Sequence, residues 1–184
     1  TLGCFLGYWL GLFALAFGFL WVSCATVDIS KPQEEDSKFF RWIVKTYIPA
    51  VFSILRMDID IQGKEQLPKE GRFLLVCNHL YILDPVLLLG CFPNAQLAFI
   101  SKRENADMFI IGKIMHRLMC QMINRENDRE ALKTILKCIQ MIKNDQVSVA
   151  VFPEGYTSRD GKLHHFRSGV FKIATKTQVP VVLC

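Results

Sequence analysis

Apolar and polar positions divide the chain into three stretches. Residues 1–27 carry no charged side chain. About 20 apolar residues suffice to cross a bilayer as a helix, and Trp9 and Trp21 fall where its two interfaces would lie. The run predicts a membrane helix. A signal peptide and an apolar core helix are the alternatives, but no basic stretch precedes the run as a signal peptide requires. Residues 31–37 form a polar break. Over 39–57, Phe40, Val44, Tyr47, Val51 and Leu55 recur at helical spacing, with Lys38, Arg41 and Lys45 on another face. This predicts an amphipathic helix, either lying in a membrane interface or packing on a core, with Pro49 kinking or dividing it.

The pattern changes after residue 57. Ile59 and Ile61 alternate with polar neighbours up to Gly63, which predicts a short strand. Residues 73–77 are a continuous apolar run, as in a strand buried on both faces. A short helix over 85–91, a strand over 97–101, a helix over 108–118 and a brief strand over 121–123 follow. Asp128 is placed to cap a helix whose buried face is Leu132, Ile135, Leu136, Ile139 and Ile142, ended by Asn144-Asp145. Then come a strand over 147–152, a helix over 169–177 and a strand over 179–183. Strands alternating with helices predict an α/β fold with a mainly parallel sheet flanked by helices. The expected organisation is a membrane-embedded helix (1–27), a linker with an interfacial helix (28–57), and one α/β domain (58–184). The chain begins at Thr1 and breaks off inside its last predicted strand, so it reads as a piece trimmed at both ends.

Charge and cysteine content narrow the class. The net charge is +5 over 184 residues, and the basic residues are spread out. That speaks against nucleic acid and suits an anionic lipid surface or a phosphorylated substrate. Seven cysteines without C-x-x-C spacing argue for a reduced, cytosol-facing catalytic part.

Strand ends are where α/β proteins place reactive groups, and two stand out. Asn78-His79 follows the 73–77 run, with Asp84 five residues after the histidine. An imidazole can accept a proton at neutral pH, and an aspartate on its other nitrogen would fix the tautomer. The alternative is structural: Asp84-Pro85 also reads as a helix cap followed by a first-turn proline. The second end is Phe152-Pro153-Glu154-Gly155. Arg159, Lys162, His164, His165 and Arg167 follow it, a cluster suited either to gripping phosphate or to being a solvated loop.

Together these pieces resemble the glycerolipid acyltransferases, the 1-acylglycerol-3-phosphate O-acyltransferase (lysophosphatidic acid acyltransferase) family. The family's first block, Asn-His, four residues, then Asp, is complete at Asn78-His79 to Asp84. Its Phe-Pro-Glu-Gly-Thr-Arg-Ser block reads Phe152-Pro153-Glu154-Gly155-Tyr156-Thr157-Ser158, and its Val-Pro-Val block is Val179-Pro180-Val181. Lys102, Gly112 and Asn124-Arg125 match the remaining block loosely. One departure is plain: Thr157 stands where the family has an arginine, and a threonine cannot replace a bidentate, permanently charged phosphate ligand.

The resemblance implies a membrane-bound enzyme of phospholipid biosynthesis. It would move a fatty acyl chain from coenzyme A or acyl carrier protein to the free hydroxyl of a lysophospholipid, with lysophosphatidic acid the first choice of acceptor. Another lysolipid or a glycerol-phosphate acceptor is the alternative. His79 would be the base and Asp84 its orienting partner. Glu154 and Gly155 would help build the acceptor site, and Arg159, Arg125 and Lys102 would meet its phosphate. The scheme calls for no metal, no organic cofactor and no covalent acyl-enzyme, in keeping with a chain that lacks a Gly-x-Ser-x-Gly elbow. Two other classes stay open: a hydrolase pairing His79 with Ser158 or Ser168, and a non-catalytic membrane-associated binding module.

Overall fold

The computed structural model describes residues 2–158 and 160–184. Its centre is a sheet of five strands: β1 (Leu74–Val76), β2 (Leu97–Lys102), β3 (Gln121–Ile123), β4 (Ser148–Val151) and β5 (Val181–Leu183). They lie in the order β3-β2-β4-β1-β5, and every pairing is parallel. The register sets Leu75 opposite Ala150 and Val182, and Phe99 opposite Ala150 from the other side.

The strand pleat divides the core in two, because successive side chains point to opposite faces. Phe73 and Leu75 join Leu97, Phe99 and Ala150 on one face, under α2 (Lys38–Ile54), α3 (Asp84–Cys91) and α4 (Phe109–Arg117). Leu74 and Val76 join Val149 and Val151 on the other, under α5 (Asp128–Lys143) and α6 (Lys172–Thr177). Layers on both faces explain why the strands read as unbroken apolar runs.

Helix ends follow local chemistry. The α5 cap is Asn127, whose side chain accepts from the amides of Arg129 (3.1 Å) and Glu130 (3.2 Å); Asp128, the expected cap, is the first helical residue. Its buried face is Ile135, Cys138, Ile139, Met141 and Ile142, whereas Leu132 and Leu136 are exposed. The helix ends where Asp145 takes a positive φ of 53°.

Several expectations are corrected. Pro49 does not divide α2, which runs through it from Lys38 to Ile54; the tertiary packing of both halves outweighs one lost backbone bond. Gly90 of α3 is so close to α2 that an added Cβ would meet Phe52 and Ile48 at 2.4 and 2.8 Å. Arg41 does not belong to a solvent face. It is buried, its Nε is 2.9 Å from both oxygens of Asp36, and its terminal nitrogens donate to the carbonyls of Leu97 and Leu118. The first half of α2, with Phe40, Ile43 and Val44, is therefore a core helix, while Val51, Ile54 and Leu55 stay exposed. Residues 58–62 form no strand. Ile59 and Ile61 are half-buried, but among the described residues no backbone pairs with them; alternation reports which side chains are covered, not whether a ladder forms. The helix expected over 169–177 is a 3₁₀ turn, Ser168–Phe171, leading into α6.

The apolar N-terminal run is α1 (Leu2–Ala25), long and apolar enough to cross a membrane. Its last turns dock on the domain. Trp21 lies tilted against Phe109 with ring centroids 4.4 Å apart, Tyr47 donates to the Ala16 carbonyl, and Phe19 meets Phe39 and Trp42 edge-on. Among the described residues no disulfide is formed.

Candidate active site

All strands are parallel, so their carboxyl ends share one edge of the sheet. In spatial order that edge presents Asn124-Arg125 after β3, Lys102 at the end of β2, Pro153-Glu154-Gly155 after β4, and Asn78-His79 after β1. Sequence places these residues tens of positions apart; the crossovers bring them into one row.

His79 is held on three sides. Its ring stacks on Phe152 with centroids 4.3 Å apart and planes 24° apart, and Phe152 lies in turn over Phe99. Its Nδ1 is 2.9 Å from Asp84 Oδ2. Its backbone amide donates to Glu154 Oε1 at 3.2 Å. The other ring nitrogen, Nε2, makes no hydrogen bond among the described residues.

Asp84 Oδ2 also accepts the amides of Leu80 and Tyr81, each at 2.8 Å. The carboxylate thus turns back over the loop that precedes it and does not cap α3. The amides of Val86 and Leu87, which a capping side chain would take, go to the Leu83 carbonyl. With two backbone N–H groups and a ring nitrogen on one oxygen, the aspartate fixes both the loop and the rotation of the imidazole. In the neutral ring the shared proton then sits on Nδ1, since a carboxylate only accepts, which leaves Nε2 with a lone pair.

Glu154 is 1% exposed, and each of its oxygens is used. Oε1 accepts from His79 N and Oε2 from His164 N, at 3.2 and 3.3 Å. It ties the His79 loop to the segment that returns at residue 164. Two more backbone bonds secure this tie: Ser158 N donates to the His79 carbonyl at 2.7 Å, and Arg167 N to the Pro153 carbonyl at 2.8 Å.

Gly155 has φ +78°, and a Cβ there would lie 3.0 Å from Arg167 Nε and 3.9 Å from Arg125 Nε. Two guanidinium groups thus converge over a glycine at the end of β4. Burial, with the like charge of Arg167 second, pushes Arg125 below the usual guanidinium range. Among the described residues neither guanidinium forms an ion pair with a carboxylate, although the Glu104 charge acts on Arg125 in the opposite sense to Arg167. Lys102 lies on the same edge but is exposed, and its side chain forms no hydrogen bond or ion pair among the described residues. Arg159 lies outside the described residues. In the sequence Arg167 is one of the basic residues after Glu154-Gly155, and nothing local marks it out from them. Phe152 was visible as the last apolar residue before Pro153-Glu154, but only the fold puts it under the imidazole.

The other nucleophile candidates are poorly placed. Ser158 is 2% exposed, its hydroxyl 2.8 Å from Asp160 Oδ1 and 2.9 Å from the Lys162 carbonyl. The His164 ring, then the Lys162 amide and the Ser158 hydroxyl, hold the Asp160 carboxyl down at about 2 by hydrogen bonding to it. Ser168 starts a 3₁₀ turn and has no bond to His79. The Cys77 thiol, next to the site, is pushed up to about 12, chiefly by burial and then by Cys184 and the Asp84 charge, so it stays protonated.

Comparison with known proteins fits this arrangement. A profile of the acyltransferase family matches residues 58–184. A chloroplastic 1-acyl-sn-glycerol-3-phosphate acyltransferase of Brassica napus is 36% identical over 147 residues, covering 79% of this chain and 41% of the relative. A probable enzyme of the same name from Mycoplasma pneumoniae is 33% identical, covering 67% of this chain and 47% of its own length. The chain therefore spans less than half of either relative. The crystal structure of the 1-acyl-sn-glycerophosphate (LPA) acyltransferase PlsC of Thermotoga maritima superposes with a TM-score of 0.68 at 28% identity, over 95% of this chain and 68% of that one. With the family profile spanning the whole sheet and both loops of the His79 site, this chain belongs to the acyltransferase family.

Proposed function

We propose that the chain transfers an acyl group from a thioester, on coenzyme A or acyl carrier protein, to the free hydroxyl of a lysophospholipid. Lysophosphatidic acid, yielding phosphatidic acid, is the acceptor it fits best. The observation that carries this is the His79–Asp84 pair, with Nδ1 engaged at 2.9 Å and Nε2 open. The acceptor hydroxyl gives its proton to Nε2 as its oxygen attacks the thioester carbonyl. The ester C–O bond forms and the C–S bond breaks. The departing thiolate then takes the proton back from the imidazolium, which Asp84 stabilises meanwhile. The acceptor oxygen is itself the nucleophile, so no acyl-enzyme arises.

Glu154 acts through His79 by fixing its backbone and is a positioning residue. Gly155 leaves room for an acceptor phosphate against Arg125 and Arg167. These two supply charge-assisted donors in a chain whose Thr157 lacks one. Lys102 and Arg159 remain candidates for further phosphate contacts. Residues 1–27 would anchor the protein in a bilayer, residues 28–57 would bridge to it, and residues 58–184 would carry the chemistry on the cytosolic side.

Release of coenzyme A from an acyl-CoA, followed with a panel of lysolipids, tests the reading. Release that requires a lysolipid supports transfer. Release with water alone would make the protein a hydrolase, and none at all would leave a binding module.

A further inference from the structure

A surface cavity lies at the edge of the sheet opposite the His79 site. It has a volume of about 350 Å³ and is walled by Lys38, Arg41, Trp42 and Lys45 of α2, with Asn94 and Gln96 across from them. The four α2 residues fall at i, i+3, i+4 and i+7, so one helix face forms the wall. Arg41 donates to the Leu97 carbonyl at the amino end of β2, whereas His79 and Glu154 follow the carboxyl ends of β1 and β4. The cavity is thus separate from the His79 site.

Arg41 and Gln96 in its wall are tied down from behind. Asp36 accepts from Arg41 Nε and from Gln96 Nε2, and Gln96 Oε1 accepts in turn from Arg72. Neither of the two ammonium groups forms an ion pair among the described residues. Lys45 Nζ contacts only the amide oxygen of Asn94 at 3.0 Å, and Lys38 makes no hydrogen bond or ion pair among the described residues. The rim is apolar and leads to α1: Trp42, half exposed, stacks beside Phe39, and both meet Phe19 of α1 at 6.2 Å.

We propose that this cavity holds the phosphate headgroup of an anionic membrane lipid, away from the acyl-transfer site. The two lysines supply the charge. Trp42 supplies the amphipathic ring suited to a headgroup boundary. The adjoining apolar face of α1 places lipid chains at the mouth. The proposal rests on the reading that α1 enters a bilayer. Flotation of the full chain with phosphatidylcholine vesicles tests that reading alone; failure to float there and with phosphatidylglycerol vesicles would bring both ideas down.

The cavity itself is tested by calorimetric titration of the full chain in non-ionic detergent micelles. Short-chain phosphatidylglycerol, short-chain phosphatidylcholine and inorganic phosphate are the probes. Phosphatidylglycerol is expected to bind one to one and at least ten-fold tighter than either of the others. An ammonium near an anionic lipid surface is worth about five-fold in affinity, so Lys38→Gln/Lys45→Gln should weaken it roughly 30-fold. Lys133→Gln/Lys137→Gln, which removes the same charge from the exposed side of α5, should leave it unchanged. Arg125→Gln should also leave it unchanged, which separates this cavity from the acceptor site. Equal affinity for both lipids, equal binding of inorganic phosphate, or an equal loss in the α5 variant would overturn the proposal.

Discussion

Asp84→Asn tests how the catalytic pair works, and the geometry sets its size. Three donors surround Oδ2: Leu80 N and Tyr81 N at 2.8 Å and His79 Nδ1 at 2.9 Å. An asparagine must put its carbonyl oxygen there, because its NH₂ would otherwise face two backbone N–H groups. The imidazole then keeps its proton on Nδ1, and the variant loses charge, not tautomer. A hydrogen bond to a charged group is worth about 1.5–3 kcal/mol and a neutral one about 0.5–1.5. The imidazolium formed during transfer therefore loses about 1–1.5 kcal/mol, a fall in kcat of roughly 5- to 15-fold. His79→Ala, which removes the base, should cost roughly 10²–10⁴-fold. The two weakened backbone bonds, at the same loss of about 1–1.5 kcal/mol each, should lower the melting temperature by about 4–12 °C, at roughly 2–4 °C per kcal/mol for a chain of this size. Coenzyme A release at saturating acceptor, beside thermal unfolding in the same detergent, measures both effects. A loss as deep as that of His79→Ala would mean that the amide has flipped and inverted the tautomer. An unchanged kcat with a lowered melting point would make Asp84 a loop support only.

Three further outcomes follow from the same site. Glu154→Gln offers one acceptor where two part-buried amides, His79 N and His164 N, need one each; it should lose about 1–3 kcal/mol of stability in a denaturant titration, and a neutral result would show that the carboxylate does not tie the loops. Gly155→Ala forces a residue with a side chain to φ +78° and crowds Arg167; it should cost about 1–2 kcal/mol and raise KM for a phosphorylated acceptor, with the KM for acyl-CoA steady in initial-rate kinetics. Cys77→Ala should keep kcat within a few-fold of the parent, since a thiol pushed up to about 12 is not a nucleophile at neutral pH; a collapse in turnover with normal unfolding would implicate a covalent step.

Much of the site is legible in the linear order because its signals are local. Asn78-His79 and Glu154-Gly155 each end a run buried on both faces, and a polar group in that position must be bonded or reactive. The helices and strands from residue 73 onward are legible for the same reason, since periodicity records which side chains lose contact with water. That record stops at the side chain. It assigns Ile59 and Ile61 correctly as half-buried and wrongly as strand, because a ladder needs a partner that no period contains. It puts Arg41 on a wet face, because a buried guanidinium depends on Asp36 and on carbonyls 56 and 77 residues away. The strand order, the row of carboxyl ends and the approach of Arg167 to Gly155 belong to the same class. Each is a contact between segments far apart in the chain, fixed by how helices cover the two faces of the sheet. Glu154 shows the division within one residue. Its type and its place after a strand are local facts. That its two oxygens bind two backbone loops is a fact of packing alone, because only the folded chain brings the amides of His79 and His164 to the same carboxylate.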